Sequence, residues 1–139
     1  MSKTQKYREQ HQELVAMVGQ LQPLLKPATL AQDASWARSL LSGLAGKLNV
    51  HLAMEDKALY PQLLQHKDPA VQAKAKAFID EMGGIKDAFA AFLGKYPSAQ
   101  AIQGSPQGFV TDTEAVVKVL ARRIQAEDSD LYALVDRLD

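Results

Sequence analysis

Val50-His51-Leu52-Ala53-Met54-Glu55-Asp56-Lys57-Ala58-Leu59-Tyr60-Pro61 is the stretch whose reading decides the fold. His51 and Glu55 stand four residues apart, which places them on one side of a helix. That side is also the apolar one: Leu41, Leu44, Leu48, His51, Glu55 and Leu59 follow at steps of three or four. An imidazole and a carboxylate on a buried stripe must be paired, because unpaired burial of such groups is costly. A metal ion or an opposite charge is the usual partner.

Working outward, the chain reads as all-α with no convincing strand. A first helix runs from about Lys3 to Leu25, with Tyr7, His11, Leu14, Val18, Leu21 and Leu25 inward and Pro23 and Pro27 ending it. A loop follows, in which Asp33 or Ser35 caps the next helix. That second helix spans about Ser35 to His66 and carries the opening stretch; Pro61 predicts a kink near its end. His66 lies where a helix dipole favours a cation. Asp68-Pro69 starts a third helix to Lys95, with Val71, Ala75, Phe78, Met82, Ile85, Phe89, Phe92 and Tyr96 inward. Gly83-Gly84 predicts a break or bulge in it, since each glycine costs about 1 kcal/mol in a helix interior. Residues 97–108 read as a polar connection. The fourth helix, from about Gln107 to Leu138, lines up Thr113, Val116 or Val117, Leu120, Ile124, Glu127, Leu131, Leu134 and Leu138, with Arg123 one turn before Glu127. Four such helices with short connections pack most simply as an up-down-up-down antiparallel four-helix bundle, a single domain over residues 1–139. Counting from the turns puts His11, His51, Glu55, Met82, Arg123 and Glu127 in one internal layer.

Composition narrows the function. Acidic and basic residues balance at 16 each, so there is no footprint for nucleic acid or an anionic membrane. The absence of cysteine removes thiolate chemistry and disulfides. The polar amino end and the lack of a long apolar run predict a soluble, cytoplasmic protein without a membrane span. The two halves also repeat. Leu48-Asn49-Val50-His51 through Leu59-Tyr60 aligns with Leu120-Ala121-Arg122-Arg123 through Leu131-Tyr132 at an offset of 72 residues. Leu, Glu-Asp and Leu-Tyr recur, and His51 falls opposite Arg123. The offset puts His11 opposite Gly83, and the stripe puts it opposite Met82.

These residues give the chain its resemblance to a known family. Glu9-Gln10-His11, His51-Leu52-Ala53-Met54-Glu55-Asp56 with Leu59-Tyr60-Pro61, and Ile124-Gln125-Ala126-Glu127-Asp128 with Leu131-Tyr132 resemble the hemerythrin-like, or HHE cation-binding, domain over nearly the whole chain. The resemblance implies an up-down-up-down bundle and a non-haem di-iron centre, held by histidines from all four helices and two bridging carboxylates. It implies oxygen binding, oxygen or redox sensing, or iron handling. Carried over, His11, His51, Glu55 and Glu127 match ligand positions. Met82 or Gly83 stands where the helix-three histidine belongs, and Arg123 where the helix-four histidine belongs. Arginine offers no lone pair, so half of the site is missing. A ferritin-like site is a weaker match still, because Glu-x-x-His is absent from every helix.

The reading is therefore a hemerythrin-like domain with an incomplete di-iron site. It is expected to be metal-free, to have a regulatory or binding role, and not to be an enzyme, with a small ligand or protein as its unidentified partner. Arg123 then lies between Glu55 and Glu127, whose mutual repulsion raises both pKa values. The alternative is one ion of iron or another divalent metal on His11, His51, Glu55 and Glu127, for oxygen or redox sensing or iron handling. Tyr7, Tyr60 and Tyr132 read as packing or as outer donors to such a site.

Overall fold

The computed structural model describes residues 3–138, and among them there are helices and no strand. Helix α1, Gln5–Leu21, buries Tyr7, His11, Leu14 and Leu21 on one face. It ends in a 3-10 turn, Gln22–Leu24, where Pro23 removes the next helical donor. The segment read as a loop then holds a short helix, α2, Pro27–Gln32, started by Pro27 and anchored by fully buried Leu30. Asp33 Oδ1 accepts from the Ser35 N–H at 2.9 Å and turns the chain into α3, Ser35–Met54.

Helix α3 runs on through a π-helical turn, Glu55–Leu59, into α4, Tyr60–Leu64. His66 Nδ1 accepts from the Asp68 N–H, and Asp68 Oδ1 accepts from the Ala70 N–H to cap α5, Pro69–Lys95. Helix α5 is continuous through Gly83-Gly84, so the predicted break is not there. A Cβ on either glycine would meet nothing within 4 Å, so no approaching backbone requires them. Met82 and Phe89 are buried on the opposite face, and burying such side chains is worth about 1.5–3 kcal/mol each, which outweighs the glycine penalty.

Residues 97–108 are likewise not a plain connection. Ser98 Oγ accepts from the Ala101 N–H to cap α6, Ala99–Gly104, and α7, Pro106–Ala126, begins directly after it. A second π-helical turn, Glu127–Leu131, leads from α7 into α8, Tyr132–Arg137.

The long rods pack α1 on α3, α4 on α5, and α7 on both α5 and α1. The short helices α2 and α6 pack on each other and on α7, closing one end around fully buried Ile102 and Phe109. The interior divides into two apolar clusters. One contains Leu14, Leu48, Met82, Phe89 and Leu120. The other contains Tyr7, Leu59, Phe78, Leu131 and Tyr132. His11 on α1, His51 and Glu55 on the α3 rod, and Arg123 and Glu127 on the α7 rod fall between members of these two clusters, so a polar layer separates them. Among the described residues no helix is long and apolar enough to cross a membrane.

Candidate metal centre

The polar layer brings together every residue singled out from the sequence except Gly83. His11, His51, Glu55, Arg123 and Glu127 are each no more than 4% exposed, and Met82 lies in the wall beside them. Gly83 is exposed, so Met82 is the inward residue at the helix-three position.

The two imidazoles are held from outside. His11 Nδ1 lies 2.8 Å from Asp128 Oδ1, and His51 Nδ1 lies 2.7 Å from Gln10 Oε1. Gln10 Nε2 in turn donates to Met54 Sδ, which fixes the orientation of its amide. A carboxylate and an amide oxygen only accept, so each Nδ1 carries a hydrogen; His51 Nε2 then presents a lone pair inward, and His11 Nε2 does the same when the ring is neutral or, when it is protonated, donates to Glu127 Oε1. The two Nε2 atoms are 3.1 Å apart, and His11 Nε2 is 2.8 Å from Glu127 Oε1. Lone pairs that converge so closely need a cation among them. A proton on His11 is one such cation. Burial opposes it, but hydrogen bonds to Glu127 and Asp128 and their charges win and raise the His11 pKa above its usual value. A metal ion is the other: His11, His51 and Glu127 offer ligand atoms all within 4.8 Å of one another.

The carboxylates divide the work. Glu55 Oε2 accepts from Tyr132 Oη at 2.6 Å, while Glu55 Oε1 is buried with no hydrogen-bond partner, 3.4 Å from His51 Nε2. Burial and the charge of Glu127 push the Glu55 pKa up to about 7, against the pull of His51 and Tyr132. Burial acts upward on Glu127 too, but His11, His51 and Arg123 outweigh it and bring it down to about 2. The expectation that both acids rise is thus corrected: Glu127 takes the contacts of His11 and Arg123, while the hydrogen bond on Glu55 comes from the neutral Tyr132 hydroxyl.

Arg123 is inside the layer, not on the surface. Its Nε donates to Glu127 Oε2 at 2.8 Å, and its Nη2 donates to Tyr60 Oη at 3.0 Å and the Phe78 carbonyl at 2.9 Å. The guanidinium carbon lies 4.8 Å from the Phe78 ring centroid. It serves Glu127 alone among the acids, so it does not lie between Glu55 and Glu127 as the sequence reading had it. Nη1 is buried without a partner.

Two tyrosines take a larger part than packing. Burial, then the nearby carboxylates, raise the pKa of both Tyr60 and Tyr132, which keeps both phenols protonated. Tyr132 Oη lies 3.2 Å from Glu127 Oε1 and 3.4 Å from both Nε2 atoms, at the centre of the layer. Its reach depends on the π-helical turn. An i→i+5 turn carries residue i+5 round to the side of residue i, which is where Tyr132 stands relative to Glu127 and Tyr60 relative to Glu55. Pro61 does not explain the widening, since the equivalent position in the second turn is Ala133. Sequence reading passed over Gln10 and Asp128; the signal was their adjacency to His11 and Glu127.

A di-iron centre does not fit this donor set, because Arg123 and Met82 occupy the positions of two nitrogen donors. One ion does fit the set formed by His11 Nε2, His51 Nε2 and a carboxylate oxygen of Glu127, which lie within 4.8 Å of one another.

The model of the Hemerythrin HHE cation binding domain family matches residues 2–135. No curated protein and no solved structure matches the chain.

Proposed function

The chain belongs to the hemerythrin HHE cation-binding domain family, and from that premise we propose that it binds a single metal ion, with Arg123 in place of a second. The observation that carries this is the facing pair of Nε2 atoms, 3.1 Å apart, with Asp128 and Gln10 holding Nδ1 on the far side of each ring. Hydrogen bonds of this kind, behind a ligand, are how proteins fix an imidazole for a metal. His11 Nε2, His51 Nε2 and Glu127 Oε1 would hold the ion, with Glu55 Oε1 as a further donor. Non-haem iron, the family's usual metal, would supply reversible redox chemistry and a coordination position for a small ligand.

The chain's own residues balance the charge. A dication and the Arg123 guanidinium match Glu55, Glu127 and Asp128 once all three are ionised. Glu127 faces both positive centres, through Oε1 and Oε2 respectively. Tyr132 keeps its hydrogen toward Glu55 and so orients that carboxylate. In this reading the rods alternate up and down as a four-helix bundle, and the protein acts in the cytoplasm as an oxygen- or redox-responsive binding protein, not as an enzyme.

A second reading has one observation in its favour. His11, Glu127, Asp128 and Arg123 already form a connected ion-pair network, which a proton on His11 completes without metal. That form is a metal-free regulatory or ligand-binding domain.

Anaerobic titration of the chelator-stripped chain with Fe(II), followed by elemental analysis after desalting, separates the two. The expected result is one ion per chain, a loss of retention in His51→Ala, and a rise in melting temperature equivalent to about 2.7 kcal/mol at a hundredfold excess of free metal over Kd. Retention of no ion establishes the metal-free form. Retention of two ions overturns the role given to Arg123.

A further inference from the structure

A pocket of about 280 Å³ runs from the polar layer toward the gap between α1 and α7. Leu14, Leu44, Leu48, Leu52, Leu120 and Ile124 make its apolar walls. Arg123, Met82, His11, His51 and Glu127 close the inner end, and Val15, Gly19 and Ala121, all exposed, stand at the mouth. An apolar cavity of about 150 Å³ already takes up benzene-sized molecules and stays dry, so this one is large enough for a small organic ligand.

One donor at the inner end lacks a partner. Both Glu127 oxygens are engaged, by His11 and by Arg123, and each imidazole Nδ1 has its partner. Of the buried side-chain polar atoms on residues lining the pocket, Arg123 Nη1 alone has no hydrogen-bond partner. A buried donor left unmet is costly, and an acceptor on the occupant would meet it. A carboxylate is the wrong acceptor. It would share one guanidinium with Glu127, whose carboxylate also lines the pocket and already takes the Arg123 charge, so the two anions would repel.

We propose that this pocket binds a slender, neutral aliphatic molecule bearing one carbonyl, such as a medium-chain ketone or aldehyde, with the carbonyl oxygen accepting from Arg123 Nη1. The chain lies along the leucine walls and its tail points to the mouth beside Gly19. The inference goes beyond the metal assignment and does not depend on an ion being present.

The test is a titration of the whole chain with 2-octanone, octane and octanoate, read by methyl NMR shifts of Leu14, Leu48 and Ile124, on metal-loaded and chelated samples. The ketone is expected to bind saturably and about tenfold more tightly than octane, with octanoate weaker than the ketone; a tenfold difference corresponds to about 1.4 kcal/mol. A Cβ at Gly19 meets nothing within 4 Å. Gly19→Phe is therefore expected to fold, keep its melting temperature and lose at least tenfold in ketone affinity, while Gly19→Ala keeps the affinity. Equal binding of ketone and alkane, or unchanged binding in a folded Gly19→Phe, overturns the proposal, as does the absence of saturable shifts. Tightest binding by octanoate overturns the carbonyl assignment.

Discussion

The two π-helical turns, Glu55–Leu59 and Glu127–Leu131, are one device used twice. Each opens on a buried glutamate, each is followed by a buried tyrosine, and each comes one turn after a buried nitrogen-bearing side chain. They part at that last residue. In the first half it is His51, which has a lone pair to give; in the second it is Arg123, which has only hydrogens. The glutamates differ as well: burial and the charge of Glu127 push Glu55 up to about 7, whereas His11, His51 and Arg123 together bring Glu127 down to about 2. The same backbone geometry thus presents a metal-capable nitrogen in one half and a fixed cation in the other.

The harshest way to break this comparison is to remove the guanidinium. Arg123→Leu leaves Glu127 buried without its strongest permanent partner and is expected to lower stability by about 3–5 kcal/mol in chemical denaturation. His51→Leu, in the metal-free chain, is expected to lose about 1–3 kcal/mol, the amount for a buried hydrogen-bonded group that carries no permanent charge. Making the halves alike should sharpen it: Arg123→His together with Met82→His is expected to raise metal content toward two ions per chain, and Arg123→His with Gly83→His is not, because Gly83 faces out.

The comparison also has a pH signature. In the metal-free chain Glu55 titrates near 7, above its ordinary 4.5, so its contribution is complete below 4.5 and is lost as pH rises toward and through 7. His11, raised above 6.5, acts in the same direction as pH rises through its folded value. Glu127, lowered from 4.5 to about 2, contributes above 4.5 and loses its contribution as pH falls toward 2. Melting temperatures of the stripped protein should therefore peak in mildly acidic buffer, while metal affinity, which requires deprotonated ligands, increases with pH. Glu55→Gln is expected to flatten the neutral side of that melting profile. The smallest expected effect is on α5: Gly83→Ala and Gly84→Ala should each add about 0.5–1 kcal/mol, since the helix is intact there and the added methyl meets open space.

Much of this was legible in the chain. Helical periodicity puts His11, His51, Glu55, Met82, Arg123 and Glu127 at one level, and the structure gathers them there. The 72-residue echo already pairs His51 with Arg123 and Glu55 with Glu127. What periodicity could not show is a change in the backbone period itself. A π-helical turn shifts every following side chain, so the inward reach of Tyr60 and Tyr132 depends on a backbone feature with no residue signature of its own. Helices α2 and α6, at six residues each, are too short to display a stripe. The glycine pair misled for a different reason: local propensity argued for a break, and the buried face of α5 overrode it.

Arg123 has a consequence for how the chain matures. A ligand cage that depends on two imported cations cannot close until both arrive, whereas here one positive centre is covalently part of the polypeptide and is in place when synthesis ends. Glu127 is therefore neutralised and the interior assembled around it whether or not an external ion is supplied.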